Sequence, residues 1–224
     1  MSQPNGSAPN PAPPSPAEPS PQQRRQWLLG PNAGAWHGTF IRCGADGLEQ
    51  ERFPTRLAVQ EQDGTIDASL TYVHTGQVRS MRFAEPPPEM QISPAGHWSL
   101  GPDRIGPWPF FAELCLVHGD RRRRVVLRHG SENPESLVVV EARPGLADPA
   151  PAAPLVAALL GPGHWSPEPG LEITTASGRC LGDPVCTSLR WSPEPGLVLE
   201  ISRRYGASGL LEPLAGDGGA TGPT

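Results

Sequence analysis

Four consecutive arginines, Arg121 to Arg124, follow the dipeptide Gly119-Asp120, and Glu113 lies on the run leading into it. Guanidinium groups at this density either hold a carboxylate or phosphate or pair with carboxylates of their own chain. Strand alternation decides which of them can act together. A two-residue hairpin loop at Gly119-Asp120 pairs His118 with Arg121, Leu116 with Arg123, Leu114 with Val125, Ala112 with Leu127 and Phe110 with His129. One face of the hairpin is then apolar except near its ends, and it is expected to line the inside of a barrel. Arg123 would point inward near the mouth, where it can meet the acidic group of an otherwise apolar ligand. The opposite face carries Arg122, Arg124 and Arg128, with Glu113 diagonal to the last two. It is expected to be a solvated exterior, on which Glu113, Arg124 and Arg128 form ion pairs of little energetic weight.

Other chemistry finds less support. The six histidines are scattered, with no HxH or HExxH grouping, so no metal site is assigned. His129 points inward opposite Phe110 in this register and makes haem an alternative ligand. Every basic residue is arginine, which excludes a Schiff-base lysine and a P-loop lysine. No serine stands in a GxSxG elbow, and the glycines fall in turns rather than before helices. No catalytic residue is nominated, and a non-enzymatic role is expected.

The elements that must carry these residues are short and β-prone. Runs at 36–43, 55–61, 65–73, 77–83, 89–92, 98–100, 110–118, 121–129 and 137–143 alternate with turn residues, Asp63-Gly64 and Gly119-Asp120 among them. Sequential strands with short links predict an all-β fold, an up-and-down antiparallel barrel. Its interior would be lined by Trp36, Phe40, Tyr72, Trp98, Phe110, Leu114, Leu116, Arg123, Val125, Leu127 and His129, with Trp108 and Phe83 as further aromatic candidates. The best helical candidate is PLVAALLG at 154–161, with proline at the start and glycine at the stop.

Composition sets the outer limits. Proline (30) and glycine (26) make a quarter of the 224 residues, and the first 21, MSQPNGSAPNPAPPSPAEPSP, hold eight of the prolines and almost no apolar bulk. Such a segment cannot offset its ordering entropy by burial, so 1–26 is read as a disordered leader. The barrel is placed at 27–146, a shortened second β module with a short helix and hairpins at 147–212, and a disordered tail at 213–224. A net charge of −5 argues against nucleic-acid binding, and no apolar run is long enough for a membrane helix. A cytoplasmic location is expected, with Cys43, Cys115, Cys180 and Cys186 as thiols. Partners are a small apolar ligand and, if the barrel is plugged, another protein.

GAWHGTF at 34–40 has a Gly-x-Trp entry to the first strand that resembles the lipocalin opening. Together with GPWPFFAELCLVHGDRRRRVVLRHG at 106–130 and LVVVEARPG at 137–145, it resembles the cyanobacterial calycin-like family of unknown function, whose members look like two lipocalin-type barrels in tandem. The resemblance covers roughly 27–145 and implies an apolar or tetrapyrrole-like ligand, with handling of a bilin or haem, or phycobilin-lyase-like accessory activity, as the alternative function. RWSPEPGLVLEISRRYGASGLL at 190–211, with Arg203, Tyr205 and Gly209, resembles the closing hairpin of the second barrel, for which the remaining chain is too short. The phrase WSPEPGL occurs twice, at 165–171 and 191–197. Each Pro-Gly pair fits a type II turn leading into a strand, and each tryptophan is expected to fold over its proline.

Overall fold

The computed structural model describes residues 18–106, 109–129 and 134–214, with the backbone alone of 134–137. Of the expected terminal tails, 1–26 and 213–224, residues 1–17 and 215–224 lie outside the described residues, as does Trp108. The elements are α1 (Pro21–Asn32), β1 (Gly34–Cys43), β2 (Glu49–Gln62), β3 (Thr65–Tyr72), β4 (Val78–Phe83), β5 (Gln91–Ile92), β6 (Trp98–Leu100), β7 (Phe110–His118), β8 (Arg121–His129), β9 (Pro134–Ala142), β10 (Ala158–Gly161), β11 (His164–Glu168), β12 (Leu171–Thr174), β13 (Val185–Glu194) and β14 (Leu197–Tyr205).

Two expectations about local structure are corrected. Residues 21–26 are helical, because Ser20 caps the helix on the Gln23 amide while the Gln23 side chain returns to the Ser20 N–H. Ser20, Pro21 and Gln23 form a capping box with proline at the first helical position, a signal masked by the proline-rich residues before it. Arg24 then donates to the carbonyls of Pro86, Pro87 and Met90, and Leu28 is buried. The segment 154–161 is extended, not helical. Leu155 and Ala157 are buried while Val156 is exposed, a period of two. The Ala157 N–H donates to the Gly47 carbonyl and the Glu49 N–H to the Leu155 carbonyl, which ties this segment to the start of β2.

The first nine strands form one antiparallel sheet in the order β4-β3-β2-β1-β9-β8-β7-β6-β5. The up-and-down meander is as expected, and β1 joins β9 to bring its two ends round. It stays open between β4 and β5. The connecting stretch contains Pro86, Pro87 and Pro88, which have no N–H to give a ladder. At the β2–β3 turn both Asp63 and Gly64 have positive φ (51° and 77°), as an Asp-Gly hairpin of this kind requires.

The β7–β8 register is the one predicted, pair for pair. Its direction in space is the reverse. Ala112, Leu114, Leu116, Val125 and Leu127 are buried, but they pack outward against Trp165, Leu171, Ile173, Leu189, Trp191 and Ile201 of a second sheet, β10-β11-β12-β13-β14. The concave side is the other one. There Trp36, Leu57, Val59 and Ile66 meet Ile92, Trp98, Cys115 and Val117, with Trp27, Leu28 and Leu29 of α1 closing that end. Strands β7, β8 and β9 are thus covered on both faces.

The second module is a meander laid on the outside of the first sheet. Its two WSPEPGL copies form equivalent hairpins: Glu168 pairs with Leu171 and Glu194 with Leu197, each after a bulge that follows the tryptophan. Gly170 and Gly196 have φ of 78° and 79°, in agreement with the predicted Pro-Gly turns. Trp165 shares its buried strand face with Pro167. Both tryptophans enter the core between the sheets, because that is where apolar surface is being buried. At the far edge Arg203, fully buried, donates to the carbonyls of Glu89, Gly101 and Pro102 and to the Tyr205 hydroxyl, fastening β14 to the β5–β6 region.

His129 belongs to this intersheet layer. It stacks on Phe110 (centroids 4.3 Å apart, 5° between planes), and its Nε2 lies 3.2 Å from Thr175 Oγ1 and 3.4 Å from Thr187 Oγ1. Burial, with a smaller contribution from Arg179, lowers its pKa from 6.5 to about 4. The folded state therefore resists a proton that the unfolded chain accepts. The stabilisation is complete above pH 6.5 and is lost as pH falls toward about 4. A loss of about 3 kcal/mol is expected across that window. Urea denaturation across it should show the slope in the wild type and a flatter profile in His129→Leu, in which Thr175 and Thr187 still bond each other.

Candidate functional site

Among the described residues, the first sheet curls round a concave surface whose side chains come from alternate positions of β1 to β4 and β6 to β9. At the closed end Arg122 and Glu141 are each 1% exposed, with Arg122 Nε donating to Glu141 Oε2 at 2.7 Å and Nη2 at 2.6 Å from the same oxygen. Both the Arg122 and Arg143 guanidinium carbons lie over the Trp36 ring, at 4.6 Å and 3.8 Å from its centroid. The Trp36 indole N–H donates to the Asn32 carbonyl at the end of α1. Gly38 stands across from Glu141, and a Cβ there would lie 2.9 Å from Glu141 Cγ, so this strand position must stay bare.

Further toward the open end, Arg124 reaches Glu113 Oε1 at 3.1 Å and Glu141 Oε1 at 3.8 Å, and lies 5.1 Å over Phe40. Its side chain is 11% exposed, and its Nε has no hydrogen-bond partner among the described residues. Around it stands an aromatic wall. Phe53 lies 5.4 Å from Phe40 and 5.5 Å from Tyr72, His74 lies 5.7 Å from Phe53, and Arg79 covers Tyr72 at 5.5 Å. The rim is open to solvent. Phe111, whose register places it on this inner face, is 43% exposed there, while Met81, on the inner face of the edge strand β4 at the level of Ala68 and Val59, is 49% exposed.

The electrostatics follow from burial against pairing. Burial alone would raise the Glu141 carboxyl, but Arg122 and Arg124 outweigh it and hold its pKa below the ordinary value. Burial also opposes the charge on Arg124, yet Glu141 and Glu113 more than offset it and raise its pKa. Glu113 is the exception. Burial pushes its pKa above the ordinary carboxylate value despite Arg124. Cys115, also on this face, is pushed by burial to about 12 and is no nucleophile.

These positions correct the predicted pocket. Trp36, Phe40, Tyr72 and Trp98 do share the concave side, with Phe40 and Tyr72 at its open end and Trp36 and Trp98 packed at the closed end. Phe110, Leu114, Leu116, Arg123, Val125, Leu127 and His129 lie on the convex side, under the second sheet or at its margin. Arg123, expected to meet a ligand at the mouth, instead meets Glu168 at 2.5 Å and lies 5.1 Å over Trp191. His129, the candidate haem ligand, is turned to the two threonines. Of the expected ion pairs Glu113–Arg124 is present, but inside the sheet rather than on a solvated exterior. Arg128 is exposed, and its neighbour across β9 is Glu135, whose side chain lies outside the described residues.

Sequence reading missed Phe53, His74, Arg79, Met81, Phe111 and Glu141. Phe53 and Glu141 could have been found by pairing β1 with both its neighbours, since they stand opposite Phe40 and Gly38. A separate cavity of about 800 Å³ lies on the outer side of β1 to β3, bounded by 144–146 and Asp148. Its charged members Arg56 and Asp148 are exposed, so it holds no desolvated group to orient a ligand. Among the described residues no group of three His, Cys, Asp or Glu side chains could hold a metal ion.

A family model described as "Domain of unknown function (DUF3598), N-terminal" matches residues 22–143, from α1 through the end of the first sheet. The chain belongs to the DUF3598 family. The fold is similar to the crystal structure of a DUF3598 protein with unknown function from Nostoc punctiforme PCC 73102, with a TM-score of 0.67 at 15% identity, over 84% of this chain and 95% of that one. That coverage exceeds the matched N-terminal part, so the shared DUF3598 fold reaches into the second sheet. No curated protein matches the sequence.

The buried charges give a stability test. Glu141→Gln leaves Arg122 without its counter-charge, and urea denaturation should show a loss of about 3–5 kcal/mol. Arg128→Ala, at an exposed position, should stay within about 0.5 kcal/mol of the wild type.

Proposed function

We propose that this DUF3598 protein binds, without catalysis, a small and mostly apolar ligand with an acidic group in the open end of its curled sheet. The reading keeps the ligand class expected of a lipocalin-like fold but moves the site. Arg124 takes the role first given to Arg123, and Phe40, Phe53 and Tyr72 supply the apolar wall.

The observation that carries it is the combination at the open end: the inner-face side chain Phe111 in contact with solvent, near an arginine that is 11% exposed and held only by Glu113 at 3.1 Å and Glu141 at 3.8 Å. A desolvated guanidinium beside aromatic rings binds an anion more strongly than an exposed one, because water no longer competes for it. The sequence resemblance to calycin-like barrels supports the choice of the concave side by analogy of fold alone.

The test is titration with 8-anilinonaphthalene-1-sulfonate, an apolar aromatic anion, followed by its fluorescence. Saturable binding is expected, weakened about tenfold or more in Tyr72→Ala and Phe53→Ala through loss of apolar contact. Unchanged binding in these variants, with loss in Leu146→Asp at the outer cavity, would move the site outside and overturn the proposal.

A further inference from the structure

We infer that Glu113 is an internal stand-in for the ligand: it holds Arg124 in the empty protein, gives it up to the ligand's acidic group, and takes up a proton as it does so. This rests on the ligand reading above and specifies how that site is regulated.

The two carboxylates that share Arg124 are not equivalent. Glu141 is 1% exposed and already bonded to Arg122 through its other oxygen, so it is fixed. Glu113 is 17% exposed, lies one alternate position from the exposed Phe111, and reaches Arg124 alone. Of the two, Glu113 is the one an incoming anion can displace.

Charge balance then calls for the proton. The buried part of the concave interior holds two guanidinium groups, Arg122 and Arg124, facing two carboxylates, Glu113 and Glu141, while Arg79 over Tyr72 is exposed to solvent. A ligand anion added to this set leaves one excess negative charge in a region where unpaired charge is strongly disfavoured. Released from Arg124, Glu113 still faces Glu141, and a proton on it restores neutrality. Its raised pKa shows that burial already favours that form. The other groups facing it do not compete. Cys115 stays a thiol, Glu141 is held ionised, and Arg124 stays charged.

The sign follows directly. Anion binding that takes up a proton weakens as pH rises, by about tenfold per unit above the pKa of Glu113 in the empty protein. The sulfonate probe stays ionised throughout, so its pH dependence reports the protein.

Fluorescence titrations from mildly acidic to mildly basic pH would compare wild type with Glu113→Gln. The wild type should lose affinity toward basic pH, and Glu113→Gln should bind about tenfold more tightly there, with a flat profile. Calorimetry of the wild type in two buffers of different ionisation heat, which needs no variant, should read the uptake of close to one proton at basic pH. If the wild type binds and Tyr72→Ala weakens it, but Glu113→Gln keeps the slope or binds no better, this inference fails and the ligand reading stands. No proton uptake overturns it equally. If no protein binds the probe, both readings fall.

Discussion

A guanidinium inside a β-sheet is tolerated only when its lost hydration is replaced from several directions, and Arg122 sets the form of this molecule by that requirement. Glu141 supplies the counter-charge, Trp36 the face on which the cation lies, and Asn32 a further acceptor at 3.4 Å from Nη1. Each partner comes from a different element: β9, β1 and the last residue of α1. Pairing β1 with β9 brings Glu141 over Gly38, and α1 must reach the same end to place Asn32 and to accept the Trp36 N–H. The charged centre, the curl of the sheet and the helix that closes it are therefore one constraint. A buried pair of this kind adds little net stability compared with apolar packing, but it disfavours any arrangement that separates its members.

The same curl creates the need for the second sheet. Strands β7, β8 and β9 keep their charged and mixed side chains inward, so the apolar alternates Leu114, Leu116, Val125, Leu127, Val138 and Val140 face out. Left bare, they would form an apolar surface larger than a monomer usually exposes. Trp165 and Trp191, one from each copy of the repeated phrase, supply large side chains to cover it. The glutamates of the same two copies bind the hairpin end, Glu168 to Arg123 and Glu194 to His118 at 3.0 Å. The repeat is a fastening used twice.

The two ends of the sheet consequently differ in kind. At the helix end the interior is filled by Trp36, Trp98, Leu57 and Val117 around the fully buried Arg122–Glu141 pair. At the other end Arg124 is shared between two carboxylates and the neighbouring aromatics are partly exposed. Stability is concentrated at the first end. Adaptable polar groups are left at the second, where a ligand can use them without disturbing the pair that holds the sheet together.

Much of this was legible in the residues. Local turn chemistry and alternation predicted the strands, the β7–β8 register to the residue and both Pro-Gly turns, because a hairpin's pairing depends only on its loop and its period of two. The Ser20 capping box was equally readable and was obscured only by the prolines before it. Tertiary structure alone decided which way the faces turn. Alternation states that Arg122 and Arg124 lie opposite Arg123 and Val125, but it is silent on which side becomes the inside of a curl. That choice rests on distant partners, Glu141 and Trp36 for the arginines and a second sheet for the leucines, and no local pattern records whether a charged face will find its counter-charges or meet water.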